Sequence, residues 1–173
     1  MKEQVLVTKE KKIKNSTIDQ KEHDKFFKMA EEWWDPNGKF KTLHKFNPVR
    51  IAFIREKIIN HFKINPSNEN PFNKIKLLDV GCGGGLLCEP MSKLGADVTG
   101  VDIVEKNIKT ASAHAKDNKL PIKYLVNTVE ELATKKQKYD VILNMEVIEH
   151  VSDVSLFIES CSHLLSKNGI MIF

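Results

Sequence analysis

The stretch Leu77-Leu78-Asp79-Val80-Gly81-Cys82-Gly83-Gly84-Gly85 decides the architecture. A short apolar run closes on an acid and breaks into glycines, and a helical pattern, 85–94, follows directly. A strand that enters a helix through such a turn is the first half of a βαβ unit. Glycine permits the tight turn and lets a ligand lie against bare backbone. The helix N-terminus behind it favours a negatively charged group.

On the C-terminal side the alternation continues. Segments 75–80, 97–101, 122–126, 139–144 and 169–173 read as strands, and 85–94, 104–118, 129–134 and 153–165 as helices. The expected fold class is therefore α/β: a Rossmann-like parallel sheet with helices on both faces. Ligands of such sheets bind at the carboxyl ends of the strands, near the switch point beside the first strand.

On the N-terminal side the texture is helical. Thr17-Ile18-Asp19-Gln20 resembles a capping box, after which Phe26, Phe27, Ala30, Trp33 and Trp34 recur at helical spacing until Asp35-Pro36-Asn37-Gly38. Asn47-Pro48 predicts a second helix start, with Ile51, Ile54, Ile58 and Phe62 on one stripe. The expected organisation is a disordered tail (1–15), an N-terminal helical cap (16–64), a polar linker (65–74) and the Rossmann-like core (75–173).

The second strand ends at Asp102, where a carboxylate can accept both hydroxyls of a ribose. A dinucleotide fingerprint, G-x-G-x-x-G, would need glycine at position 86, which is Leu86. The spacing Gly81, Gly83, Gly85 behind Asp79 instead resembles class I methyltransferases, whose cofactor is S-adenosyl-L-methionine. Asn127-Thr128-Val129-Glu130 follows the third strand, where adenine would lie, although a polar residue there is usually only a helix cap.

After the fourth strand comes Met145-Glu146-Val147-Ile148-Glu149-His150. Met145 suits either cofactor contact or core packing. Glu146, Glu149 and His150 would share a face if helical. Three readings stand. The two carboxylates and the imidazole hold a divalent metal acting as Lewis acid; His150 acts alone as general base; or Glu-His braces the turn.

Composition bounds the rest. Of 173 residues, 41% are hydrophobic and 29% charged, with no apolar run near the ~20 residues a membrane span requires. The lysine-rich, briefly apolar start reads as neither signal nor transit peptide, so a cytoplasmic location is expected. Cys82, Cys88 and Cys161 form no CxxC pair and read as reduced thiols. A net charge of +4, spread among acidic residues, indicates a solvated surface rather than nucleic-acid binding. The lysine-rich tail allows weak attraction to an anionic membrane. Arg50 and Arg55 are the only arginines among 27 basic residues, which marks each for work a lysine ammonium cannot do.

Further motifs narrow the resemblance. Trp33-Trp34-Asp35, then Gly38-Lys39-Phe40-Lys41-Thr42-Leu43-His44-Lys45-Phe46-Asn47-Pro48-Val49-Arg50, the glycine loop, and 145–150 together resemble the O-methyltransferases of ubiquinone biosynthesis. The resemblance runs from about residue 23 to the end. It implies that the cap closes over the cofactor and that Arg50, Gly81, Gly83, Asp102 and Met145 contact it, with His150 and Glu146 as catalytic candidates. Relatives in eukaryotes imply a metal on Glu146, Glu149 and His150, Mg²⁺ suiting the oxygens and Zn²⁺ the imidazole. The implied substrate is a polyprenylated phenol or quinol. Peripheral contact with the inner face of the membrane and association with other ubiquinone-biosynthesis enzymes are implied as well.

Class I methyltransferases carry a seven-stranded sheet, so this chain is expected to stop inside its fifth strand. The alternatives are a truncated, non-catalytic remnant that binds cofactor weakly, and a nicotinamide oxidoreductase, against which Leu86 speaks.

Overall fold

The structure, a computed structural model, describes residues 16–173; the expected disordered tail, 1–15, lies outside them. Five parallel strands, β1 (Lys76–Val80), β2 (Asp97–Asp102), β3 (Lys123–Val126), β4 (Tyr139–Leu143) and β5 (Leu165–Ile172), form one sheet in the order β3-β2-β1-β4-β5. The order reverses between β1 and β4, which places the switch point beside β1.

Successive side chains of a strand face opposite sides, and Leu77 and Leu78 divide accordingly. Leu77 joins Ile54, Ile58, Phe72, Met91, Val98 and Val141 in one core layer. Leu78 joins Val101, Leu132, Ile142, Phe157 and Leu164 in the other. The crossing helices are α3 (Cys88–Lys93), α4 (Glu105–Asp117), α5 (Val129–Ala133) and α6 (Val154–Leu164). Strand β5 starts earlier than the sequence suggests because the register shifts between Tyr139 and Val141 of β4, which lets Leu165 pair ahead of Ile170.

Two helices form the cap, α1 (Gln20–Met29) and α2 (Lys41–Phe62), joined by a 3₁₀ turn at Ala30–Glu32 and the Trp33-Trp34 bend. Both helix starts differ from the sequence expectation. Asp19 rather than Thr17 caps α1, accepting the Lys21 and Glu22 amides at 2.8 and 3.3 Å, while Thr17 turns away toward Glu130. Helix α2 begins six residues before Asn47, so Pro48 lies inside it. The turn at Asp35–Gly38 sets that start, through Lys41 N to Gly38 O and His44 N to Phe40 O, both 3.1 Å. The Asn47 side chain donates instead to the Leu86 carbonyl at 2.9 Å and ties the cap to the glycine loop. A third apolar cluster, Ala30, Trp33, Phe40 and Leu86, forms the seam between cap and core. No described helix is long and apolar enough to cross a membrane.

Candidate functional site

The sheet's carboxyl edge and the cap enclose a cavity of about 300 Å³. Its floor is the loop after β1. Gly81, Gly83 and Gly85 adopt φ of 66, 52 and 88°, a region that side chains disfavour. Their bareness also serves the protein's own packing. A Cβ on Gly81 would lie 2.6 Å from Val147, one on Gly83 only 2.3 Å from the Trp33 ring, and one on Gly85 only 2.3 Å from the Tyr124 hydroxyl. Gly83 is thus covered by Trp33 and does not line the cavity, whereas Gly81 does.

Asp102 ends β2 as expected, with 8% of its surface exposed, and already organises the loop. Its Oδ2 accepts the Gly83 amide at 2.9 Å, and Oδ1 accepts the Val104 amide at 2.8 Å and the Asn107 side chain at 3.3 Å. Burial pushes its pKa up, against the lowering effect of these three bonds. A carboxylate offers about four acceptor positions, so capacity toward the cavity remains.

Arg50 reaches the cavity from α2. Its Nε and Nη1 are buried without a hydrogen-bond partner among the described residues. An unpaired buried guanidinium is costly, and its geometry matches a carboxylate fork. Asp79, which lines the same cavity, is 3% exposed. Burial pushes its pKa up to about 6, opposed by the Cys88 thiol, which donates at 3.2 Å, and by the nearby Arg50 charge. Because the folded pKa lies above the unfolded one, Asp79 contributes stability that is present below pH 4 and lost as pH rises through 6. The full effect is about 3 kcal/mol. Urea melts of Asp79→Asn should show this slope removed, and an unchanged slope would refute the assignment.

At the far end, Thr128 caps α5 by accepting the Glu131 amide at 3.1 Å. Glu130 accepts the Thr17 hydroxyl at 2.6 Å on Oε1, and its buried Oε2 has no partner among the described residues. Cavity and cap therefore meet at an acid that still has a free acceptor.

The segment after β4 departs from the helical reading. Glu146 has φ of 59°, and only Ile148–His150 form a 3₁₀ turn. The i, i+3, i+4 face is therefore not formed. Met145, Glu146 and His150 line the cavity; Glu149 does not, and lies 4.0 Å from His150 Nε2. Among the described residues no three His, Cys, Asp or Glu side chains converge to hold a metal. His150 Nδ1 is paired instead with Glu22 of the cap at 2.9 Å, and Phe26 packs edge-on against the ring. Glu22 and the Trp33–Asn107 bond, 2.8 Å, were not legible as site features in the sequence. The adjacent tryptophans, Trp33 and Trp34, were the signal the sequence carried there, and both pack in the seam cluster.

These features define a class. The chain belongs to the methyltransferase-domain family, which it matches over residues 78–173. It is 60% identical over 156 residues to the ubiquinone biosynthesis O-methyltransferase of Pelagibacter ubique and 52% identical over 156 residues to that of Sinorhizobium medicae. Each alignment takes in 90% of this chain, and 64% and 63% of the respective relatives, so the chain spans a little under two thirds of their length. The fold is that of the magnesium protoporphyrin IX methyltransferase of Synechocystis with bound SAM: TM-score 0.66 at 20% identity, over 88% of this chain and 74% of that one. A S-adenosylmethionine-dependent methyltransferase of Clostridium acetobutylicum gives 0.60 at 18% identity, over 86% and 55%.

Proposed function

We propose that this chain is the cofactor-binding core of an S-adenosyl-L-methionine-dependent O-methyltransferase acting on polyprenylated ubiquinone precursors, 2-polyprenyl-6-hydroxyphenol and 3-demethylubiquinol. The observation that carries the reading is the Arg50 guanidinium, whose buried Nε and Nη1 have no hydrogen-bond partner among the described residues, lining one cavity with Asp102. It is the demand an amino-acid carboxylate and a ribose would satisfy together. Arg50 would hold the carboxylate, Asp102 the sugar hydroxyls and the free oxygen of Glu130 a donor on the base, with Gly81 and Met145 against the cofactor. Bound there, S-adenosyl-L-methionine supplies an electrophilic methyl group on a sulfonium.

A phenol, with pKa near ~10, is a poor nucleophile at neutral pH, so its proton must be taken as the oxygen attacks. His150 would take it at Nε2. Its Nδ1 would stay protonated against Glu22, an arrangement that stabilises the imidazolium once formed. Glu146 lines the same end of the cavity. A metal held by Glu146, Glu149 and His150 has less support, because Glu149 does not line the cavity and His150 Nδ1 is engaged by Glu22. Leu86, buried in the cap seam, leaves no place for the third glycine of a nicotinamide fingerprint.

A cytoplasmic location, peripheral contact with the inner membrane face and association with other ubiquinone-biosynthesis enzymes belong to the same reading. Membrane contact is supported by Phe46, Val49 and Phe53, exposed on α2 beside Lys45 and Lys57. The test is transfer of labelled methyl to a prenylated catechol, with and without chelator. Transfer is expected in both arms, and His150→Gln should lower kcat about 100-fold with cofactor affinity retained. No transfer to any catechol, or loss of transfer on chelation, would overturn the phenol-base reading.

A further inference from the structure

We propose that Glu89, His114 and Trp34 form a positioning relay that fastens the cap to the glycine loop, so that cofactor affinity depends on three residues that do not line the cavity. The inference rests on the cofactor site just described. Trp34 stacks on His114 with ring centroids 3.5 Å apart and planes within 5°, and its Nε1 donates to the Gly84 carbonyl at 2.9 Å. His114 Nδ1 lies 2.5 Å from Glu89 Oε1. A carboxylate accepts, so Nδ1 carries the proton, and Asn118 donates to the His114 carbonyl at 2.9 Å instead. Glu89 itself follows the loop directly, its amide bonded to Gly85 O at 3.1 Å.

Burial makes the relay more than packing. Glu89 is 2% exposed on a six-residue helix where an apolar side chain would avoid the desolvation of a carboxylate. Its side-chain partner is the ring on which the cap's tryptophan lies. The line Glu89–His114–Trp34–Gly84 thus starts on the helix whose first turn is bonded to Gly85, passes through the cap and ends on the glycine loop. Trp33, the preceding residue, lies over Gly83 and bonds Asn107, which bonds Asp102. A cap displaced at Trp34 therefore carries Trp33 off the loop and removes a support of Asp102.

The experiment uses the whole chain and two readouts. Amide hydrogen exchange at Gly83 and Gly85 in the unliganded protein reports the loop, and S-adenosylhomocysteine titration by calorimetry reports affinity. In His114→Ala, exchange at the two glycines should rise at least tenfold while Val141 and Ile142 of β4 stay unchanged, and Kd should weaken about tenfold. Glu89→Gln, which keeps an acceptor for Nδ1, should stay within threefold of wild type on both. Should His114→Ala fail to fold, Trp34→Phe keeps a ring on His114 and removes the bond to Gly84, with the same loop-exchange result expected. Unchanged glycine exchange, equal acceleration in β4, or affinity within twofold of wild type would overturn the relay. A wild-type chain that binds no cofactor refutes the function reading alone, because loop exchange still judges the relay.

Discussion

Replacing Asp102 by Asn should weaken S-adenosylmethionine binding about 1000-fold, roughly 4 kcal/mol. Asn is nearly isosteric, so no cavity is created, and burial already disfavours the ionised form of Asp102. Loss of charge alone therefore does not account for the effect. The decisive change is the loss of one acceptor. In the native loop both carboxylate oxygens take backbone amides, Gly83 on Oδ2 and Val104 on Oδ1. A carboxamide can accept at only one of them and must turn an NH₂ toward the other N–H. Each buried donor left unpaired costs about 1–3 kcal/mol. The loop then leaves the conformation in which Gly81 and the second strand face one ligand, and the ribose loses its acceptor as well. Calorimetry measures the loss; affinity within threefold of wild type would mean that the carboxylate serves neither the loop nor the sugar.

Arg50→Met should act on stability and binding in opposite directions. In the unliganded chain the substitution removes a guanidinium whose Nε and Nη1 are desolvated and unpaired, so thermal stability should hold or rise by about 1 kcal/mol. Cofactor affinity should fall roughly 300-fold, because the bidentate partner of the amino-acid carboxylate is gone. Arg50→Lys should rescue little, since an ammonium cannot present the fork. If Arg50 served only to neutralise Asp79, whose pKa its charge lowers, Lys would restore wild-type affinity. Paired melts and titrations separate the two roles. A destabilised variant with intact affinity would move Arg50 from the site to the scaffold.

Much of the fold was readable because its determinants are local. The five strands and four crossing helices of the core announce themselves by apolar runs, helical spacing and the turn at 81–85, and each lies within a few residues of its expected place. Where boundaries moved, a distant partner moved them. Helix α2 runs through Pro48 because the turn at Asp35–Gly38 starts it earlier and Asn47 is drawn to Leu86. Asp19 caps α1 because Thr17 is taken by Glu130 across the cavity.

The same division holds for the site. Gly81, Asp102, Glu146 and His150 were singled out by motif and spacing, Arg50 and Met145 by what the family resemblance implies, and all six line one cavity. Gly83 was expected to face a ligand; in the structure a Cβ there would meet Trp33, and its amide donates to Asp102. Glu149 was expected to share a helical face with Glu146 and His150; with left-handed backbone at Glu146 that face does not form, and Glu149 stays outside the cavity, 4.0 Å from His150 Nε2. Periodicity and motif spacing are properties of neighbouring residues, so the chain alone settles the strand-loop-helix unit, the parallel sheet and the acid at the end of β2. Which carboxylate pairs with His150, what covers the glycines and which buried guanidinium nitrogens lack a hydrogen-bond partner depend on side chains many residues apart. Their pairing is set only when the cap packs against the sheet and water is excluded between them.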